Sequence, residues 1–136
     1  MPKYKQKIES HEKFLRDADE FCIYTLKMLK DEKICPKSAR WLGADEIKHL
    51  VQRIHTYLHW ANNIKVTNAE EKNQRHLAQT NAYALMRTLG EKFEFCSKIY
   101  NIDKNALTRW LNEKGNVQAW ISRWMKSDEK NYKDIK

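Results

Sequence analysis

Four long stretches of this chain place apolar residues at helical spacing, and that periodicity constrains the fold more than anything else in the sequence. The last stretch is the plainest. Ala106, Trp110, Val117, Trp120, Ile121 and Trp124 follow one stripe, while Lys104, Arg109, Lys114, Arg123 and Lys126 lie off it. Apolar residues three and four apart put one helical face into a core and leave the opposite face in water. Only 3 glycines and 2 prolines punctuate the 136 residues, so sheets and glycine-rich phosphate loops are not expected.

The first helix is predicted over about 10–33, with Ser10 as its cap. Phe14, Ala18, Phe21, Thr25 and Met28 form one apolar line, and Leu15, Cys22, Leu26 and Leu29 form the next. A stripe this wide suits a helix touching two neighbours. Cys35-Pro36-Lys37-Ser38 interrupts the pattern, since proline disfavours helix at the residue before it. The second helix is predicted over 38–64, with Leu42, Ile47, Leu50, Val51, Ile54, Tyr57, Leu58, Ala61 and Ile64 inward. Gly43 reads as a close-packing point rather than a break, because the periodicity continues past it.

Asn68 and Glu71 form a capping box for a third helix over 69–101. Its inward residues are Ala78, Ala82, Leu85, Met86, Leu89, Phe93, Cys96 and Ile99, and the small Ala78, Ala82 and Ala84 suggest close helix approach. Asp103 caps a fourth helix over 104–127, in which Gly115 marks either a bend or a tight contact. Residues 128–136 read as a charged, frayed tail. Four comparable helices with short connections predict a single-domain, all-α, antiparallel up-down-up-down four-helix bundle.

Lysine and arginine number 26 against 18 acidic residues, a net charge of +8. A surplus of that size points to nucleic acid or another polyanion. Cys22, Cys35 and Cys96 are an odd count without a CxxC spacing, which fits free thiols in a reducing cytoplasm. The N-terminal segment has no apolar core of a signal peptide, and no apolar run approaches the ~20 residues of a membrane span. No cofactor is expected.

Several motifs carry residue types suited to chemistry. Glu46-x-x-His49 matches half of a di-iron bundle motif, but no second half exists and His49 falls off the apolar face. His55 and His59, four apart, offer two metal ligands, yet the sequence shows no carboxylate or thiol at a matching position, so no metal is expected. Arg53-x5-His59 resembles the Arg-x(4–6)-His pattern of helical HEPN-type ribonucleases. It differs in lying on the second helix and in having Ile54 after the arginine. Trp41, Trp60, Trp110, Trp120 and Trp124 are candidates for base stacking; Trp110, Trp120 and Trp124 follow the core stripe, and Trp60 flanks a stripe where a subunit contact is expected. The leading phosphate-binding candidates are Arg75, Arg87, Lys92 and Lys98 on the third helix. Lys27, Lys30 and Lys33 at the end of the first helix come next, where they also complement the helix dipole.

The segments Ile34 to Asn62, Ala82-Tyr83-Ala84-Leu85-Met86-Arg87 and Gly115 to Arg123 resemble, in order, the accessory variability determinant (Avd) family of diversity-generating retroelements. The resemblance spans about residues 10–127. It implies a non-enzymatic four-helix bundle that assembles as a homopentameric barrel. It also implies binding of RNA and DNA, and association with the element's reverse transcriptase in mutagenic cDNA synthesis. Arg87 lines up with a basic position of that family, whereas a second such position is Glu91 here. The related bundles of ribosomal RNA intervening sequences, which would bind RNA without a polymerase partner, are the alternative, followed by the HEPN-like ribonuclease.

Overall fold

A computed structural model describes residues 3–136, with side chains from residue 11 onward. Four long helices account for most of the described chain: α1 (Lys3–Lys30), α2 (Ala44–Asn63), α3 (Ala69–Ser97) and α4 (Lys104–Asn131). A 3₁₀ segment, Lys37–Leu42, precedes α2. Among the described residues there is no strand. Helices adjacent in sequence pack on one another, α2 against α3 most extensively, and α4 packs back on α1.

The core forms where the four apolar stripes meet. Phe93 of α3 and Trp110 of α4 stack with ring centroids 3.7 Å apart, and Phe21 of α1 leans on the same indole at 5.3 Å. Ile47, Ile54 and Leu58 of α2 and Met86 and Leu89 of α3 complete a fully buried layer. An indole N–H in such a place needs an acceptor. Trp110 donates to the Thr25 hydroxyl at 2.8 Å, and that hydroxyl donates to the Phe21 carbonyl at 2.9 Å. Thr25 therefore belongs on the apolar line although its side chain is polar.

The helix ends depart from the sequence prediction in ways that local chemistry explains. α1 runs back to Lys3, because no glycine or proline interrupts residues 3–10, so Ser10 does not open the helix. The Ser10 side chain, like Met1 and Pro2, lies outside the described residues. The same helix stops at Lys30 rather than Lys33. Asp31 turns the chain there, its carboxylate accepting from the Lys33 N–H at 2.9 Å and its carbonyl from the Cys35 N–H at 2.8 Å.

The predicted second helix is divided at Gly43 into the 3₁₀ segment and α2, so Gly43 is a break after all. It is also a close contact: a Cβ built there would lie 2.4 Å from Cys96 Sγ. Leu42, expected inward, is exposed. The Tyr100 hydroxyl holds the junction by accepting from the Ala44 N–H at 3.1 Å and donating to the Ala39 carbonyl at 2.7 Å.

Asn68 caps α3 as expected, its side chain accepting from the Glu71 N–H at 2.9 Å, while Glu71 accepts from the Thr67 N–H at 3.0 Å. The hydroxyl and N–H of Thr67 hold the Glu71 carboxyl below its usual range. Ala78 and Ala82 are buried, but Ala84 is exposed, as is Ile99 beyond the end of α3 at Ser97. Asp103 caps α4 by accepting from the Ala106 N–H at 2.8 Å. Gly115 has no neighbour within 4 Å of its Cβ position, so no tight contact accounts for it. α4 continues to Asn131, past the predicted end at 127.

Candidate functional site

The third-helix cations do not form one surface. Arg75 is tied down inside the protein: its guanidinium donates to the Asp128 carboxylate at 2.6 and 2.9 Å and to the Ile64 carbonyl at 3.2 Å. Trp124 and Tyr132 cover it at 5.1 and 5.7 Å. The side chains of this ion pair keep only 14% and 15% of their exposure, so Arg75 cannot reach a phosphate without breaking the pair. Gln79 adds a hydrogen bond to Asp128 at 2.7 Å. Segment 128–136 is thus partly engaged rather than frayed, since Lys72 also donates to the Ile135 carbonyl at 2.9 Å.

Lys92 lies 3.3 Å from the Glu46 carboxylate. Arg87 and Lys98 are exposed and have no ion-pair partner among the described residues. Helical geometry places Glu91 and Glu94 on the strip between them. That strip is mixed in sign between Arg87 and Lys98.

A second group of cations lies where α1 ends, with the exposed Asp31 and Glu32 among them and Glu32 paired to Lys37 at 3.2 Å. Lys27, Lys30 and Lys33 are all exposed, and none forms an ion pair among the described residues. Arg40 anchors the 3₁₀ segment to this end by donating to the Lys30 carbonyl at 2.8 Å. The end of α3 joins it through the Asn101 N–H, which donates to the Ile34 carbonyl at 3.1 Å, and through Tyr100 on the Ala39 carbonyl. Lys98 therefore belongs to the same end of the molecule. Trp41, in the 3₁₀ segment, is 74% exposed. The remaining tryptophans divide as the stripes imply. Trp110 and Trp124 are buried, Trp120 is half-buried under Arg123, and Trp60 is exposed against Tyr57.

A second cluster joins α1 to α2. His59 Nε2 lies 2.8 and 3.1 Å from the two Asp19 carboxylate oxygens, and His55 Nε2 lies 3.4 Å from the nearer one. The expectation that no carboxylate faces this histidine pair fails in three dimensions: α1 supplies it. The sequence did hold a signal, because Asp19 sits on the apolar line between Leu15 and Cys22, where a carboxylate needs a partner. Asp128 gave a similar signal by extending the stripe of Val117, Ile121 and Trp124 by one turn.

Arg53 and His59 do not share a face. Six residues on a helix amount to about 120° of rotation away from alignment, and Arg53 is exposed while His59 turns toward Asp19. His49 is exposed and away from the core. All three cysteines are buried and unpaired. Burial, helped by the nearby Asp19, pushes the Cys22 thiol up to about 12, and burial raises Cys96 as well. Both shifts disfavour the thiolate, the reactive form of cysteine.

No helix among the described residues is long and apolar enough to cross a membrane. Compared with protein-family models, curated proteins and solved structures, the chain matches none of them.

Proposed function

We propose that this protein is a non-enzymatic nucleic-acid-binding bundle whose anion-binding surface is the end of the molecule built from the close of α1, the 3₁₀ segment and the close of α3. The carrying observation is the grouping of exposed Lys27, Lys30, Lys33 and Lys98 with the exposed Trp41. Lysines without carboxylate partners release counterions when they meet a phosphate backbone. An exposed aromatic ring adds a stacking surface for an unpaired base and tolerates any sequence. The helix contacts fit an antiparallel up-down-up-down order, with His11 near the start of α1 bonded to Asn62 near the end of α2 at 2.8 Å. On the resemblance to the Avd family, the bundle works in the cytoplasm as a homopentamer, as an accessory to the reverse transcriptase of a diversity-generating retroelement.

The stacking half of this reading is tested with a single-stranded oligonucleotide and Trp41→Ala. The variant should fold as the wild type does, since Trp41 is exposed, and should bind single strands several-fold more weakly with little change for duplex. Base–aromatic stacking is worth about 1–3 kcal/mol per base. Equal loss for single strands and duplex, or no loss for either, contradicts a stacking role.

A further inference from the structure

We infer that Asp19, His55 and His59 form a binding site for a divalent first-row transition ion, of which Zn2+ is the natural probe. The site draws on two helices. His55 and His59 are one turn apart on α2 and present their rings on the same face, with centroids 4.4 Å apart. Asp19 meets them from α1. One ligand atom from each of the three residues lies within 4.8 Å of the others.

The spacing suits an ion. Two ligands held about 2.05 Å from a tetrahedral ion are about 3.3 Å apart. The Asp19 to His55 separation of 3.4 Å is already at that value, and the Asp19 to His59 contact of 2.8 Å needs to open by about half an ångström. A hydrogen-bonded pair between Asp19 and His59 would account for one histidine only. His55 makes no hydrogen bond to Asp19, yet its Nε2 lies 3.4 Å from the same carboxylate oxygen. A shared ion accounts for both rings.

The ligand set selects the ion. Two imidazoles and one carboxylate suit Zn2+ and its first-row neighbours, whereas Mg2+ and Ca2+ take oxygen ligands. Three protein ligands leave at least one coordination position open. The side chains of His55, His59 and Asp19 are 50%, 36% and 32% exposed, so an ion from solvent reaches them. Asp19 and His55 also edge a cleft of about 480 Å³ that Cys22, Ile23, Leu26 and Thr56 line. Neither histidine has a hydrogen bond to its Nδ1 among the described residues. Such outer partners are worth about 10–100-fold in affinity, so binding should be correspondingly weaker than in a buried structural zinc site.

The experiment is calorimetric titration of the full chain with Zn2+, with Co2+ absorption as a second readout and Mg2+ as a control. The wild type should take up one Zn2+ per chain, give a Co2+ spectrum typical of nitrogen and oxygen ligation, melt at higher temperature with Zn2+, and ignore Mg2+. His55→Ala and Asp19→Asn should each abolish the one-to-one event; His55 is half exposed and the Asp19 change keeps the side-chain shape, so circular dichroism should show both folded. If the wild type binds no Zn2+, or if both variants bind it as the wild type does, the site is not a metal site. A Co2+ spectrum dominated by thiolate ligation would also overturn the assignment, since it would place the ion on a cysteine.

Discussion

Arg75 shows what its surroundings make of a cation that composition alone assigns to solvent. Its partners Asp128, Ile64, Trp124 and Tyr132 come from two other segments of the chain, so only the fold reveals them. Removing one member of a buried pair strands the other without compensation. Arg75→Ala should therefore cost about 3 kcal/mol in denaturant unfolding, the low end for buried pairs because both side chains keep some exposure. The salt dependence of nucleic-acid binding should be unchanged in the same variant. A variant as stable as the wild type would mean that the ion pair is immaterial. At this scale the sequence was least legible. Count and stripe locate charged residues, but a long-range partner such as Asp19 for His59, forty positions away, leaves no local mark beyond a carboxylate on an apolar line.

The presence of four long helices is legible in the sequence, because each carries a stripe that only helical packing buries. Their ends were harder, since an end is decided by one or two hydrogen bonds. The Asp31 turn ends α1 at Lys30, while α4 continues past Asp128 to Asn131. The two glycines separate these effects experimentally. Gly115 is exposed inside α4 with open space around it, so Gly115→Ala should stabilise by about 1 kcal/mol from helix propensity alone. Gly43 faces Cys96 Sγ at 2.4 Å from its Cβ position, so Gly43→Ala should destabilise by about 1–3 kcal/mol through overpacking. Urea unfolding of both variants checks the pair. Opposite signs are expected, and equal signs would contradict the packing account of the α2–α3 junction.

For the molecule as a whole, several large apolar side chains remain at the surface, among them Ile23, Trp60, Leu77 and Phe95. They suit contacts between copies, and light scattering at micromolar concentration should give about five times the 16.4 kDa chain mass; the mass of a single chain would remove the pentamer. Labelled structured RNA should stay intact on incubation, since the apolar Ile54 follows Arg53 and Asp19 engages His59. Cleavage lost in His59→Ala would instead favour a ribonuclease. The basic character was legible from composition, but its location was not, because the third-helix cations are split among an internal ion pair, Glu46 and a mixed strip. The most direct test of the nucleic-acid surface is the salt dependence of binding, measured for the wild type and for a variant with Lys27, Lys30 and Lys33 all changed to alanine. Affinity for unrelated RNA and DNA sequences should fall steeply with salt in the wild type, and the log–log slope should flatten by roughly 2 to 3 units in the triple variant, about 0.7–0.9 for each lost phosphate contact. A triple variant that binds as tightly as the wild type with the same slope would contradict the assignment of this end of the bundle to nucleic acid.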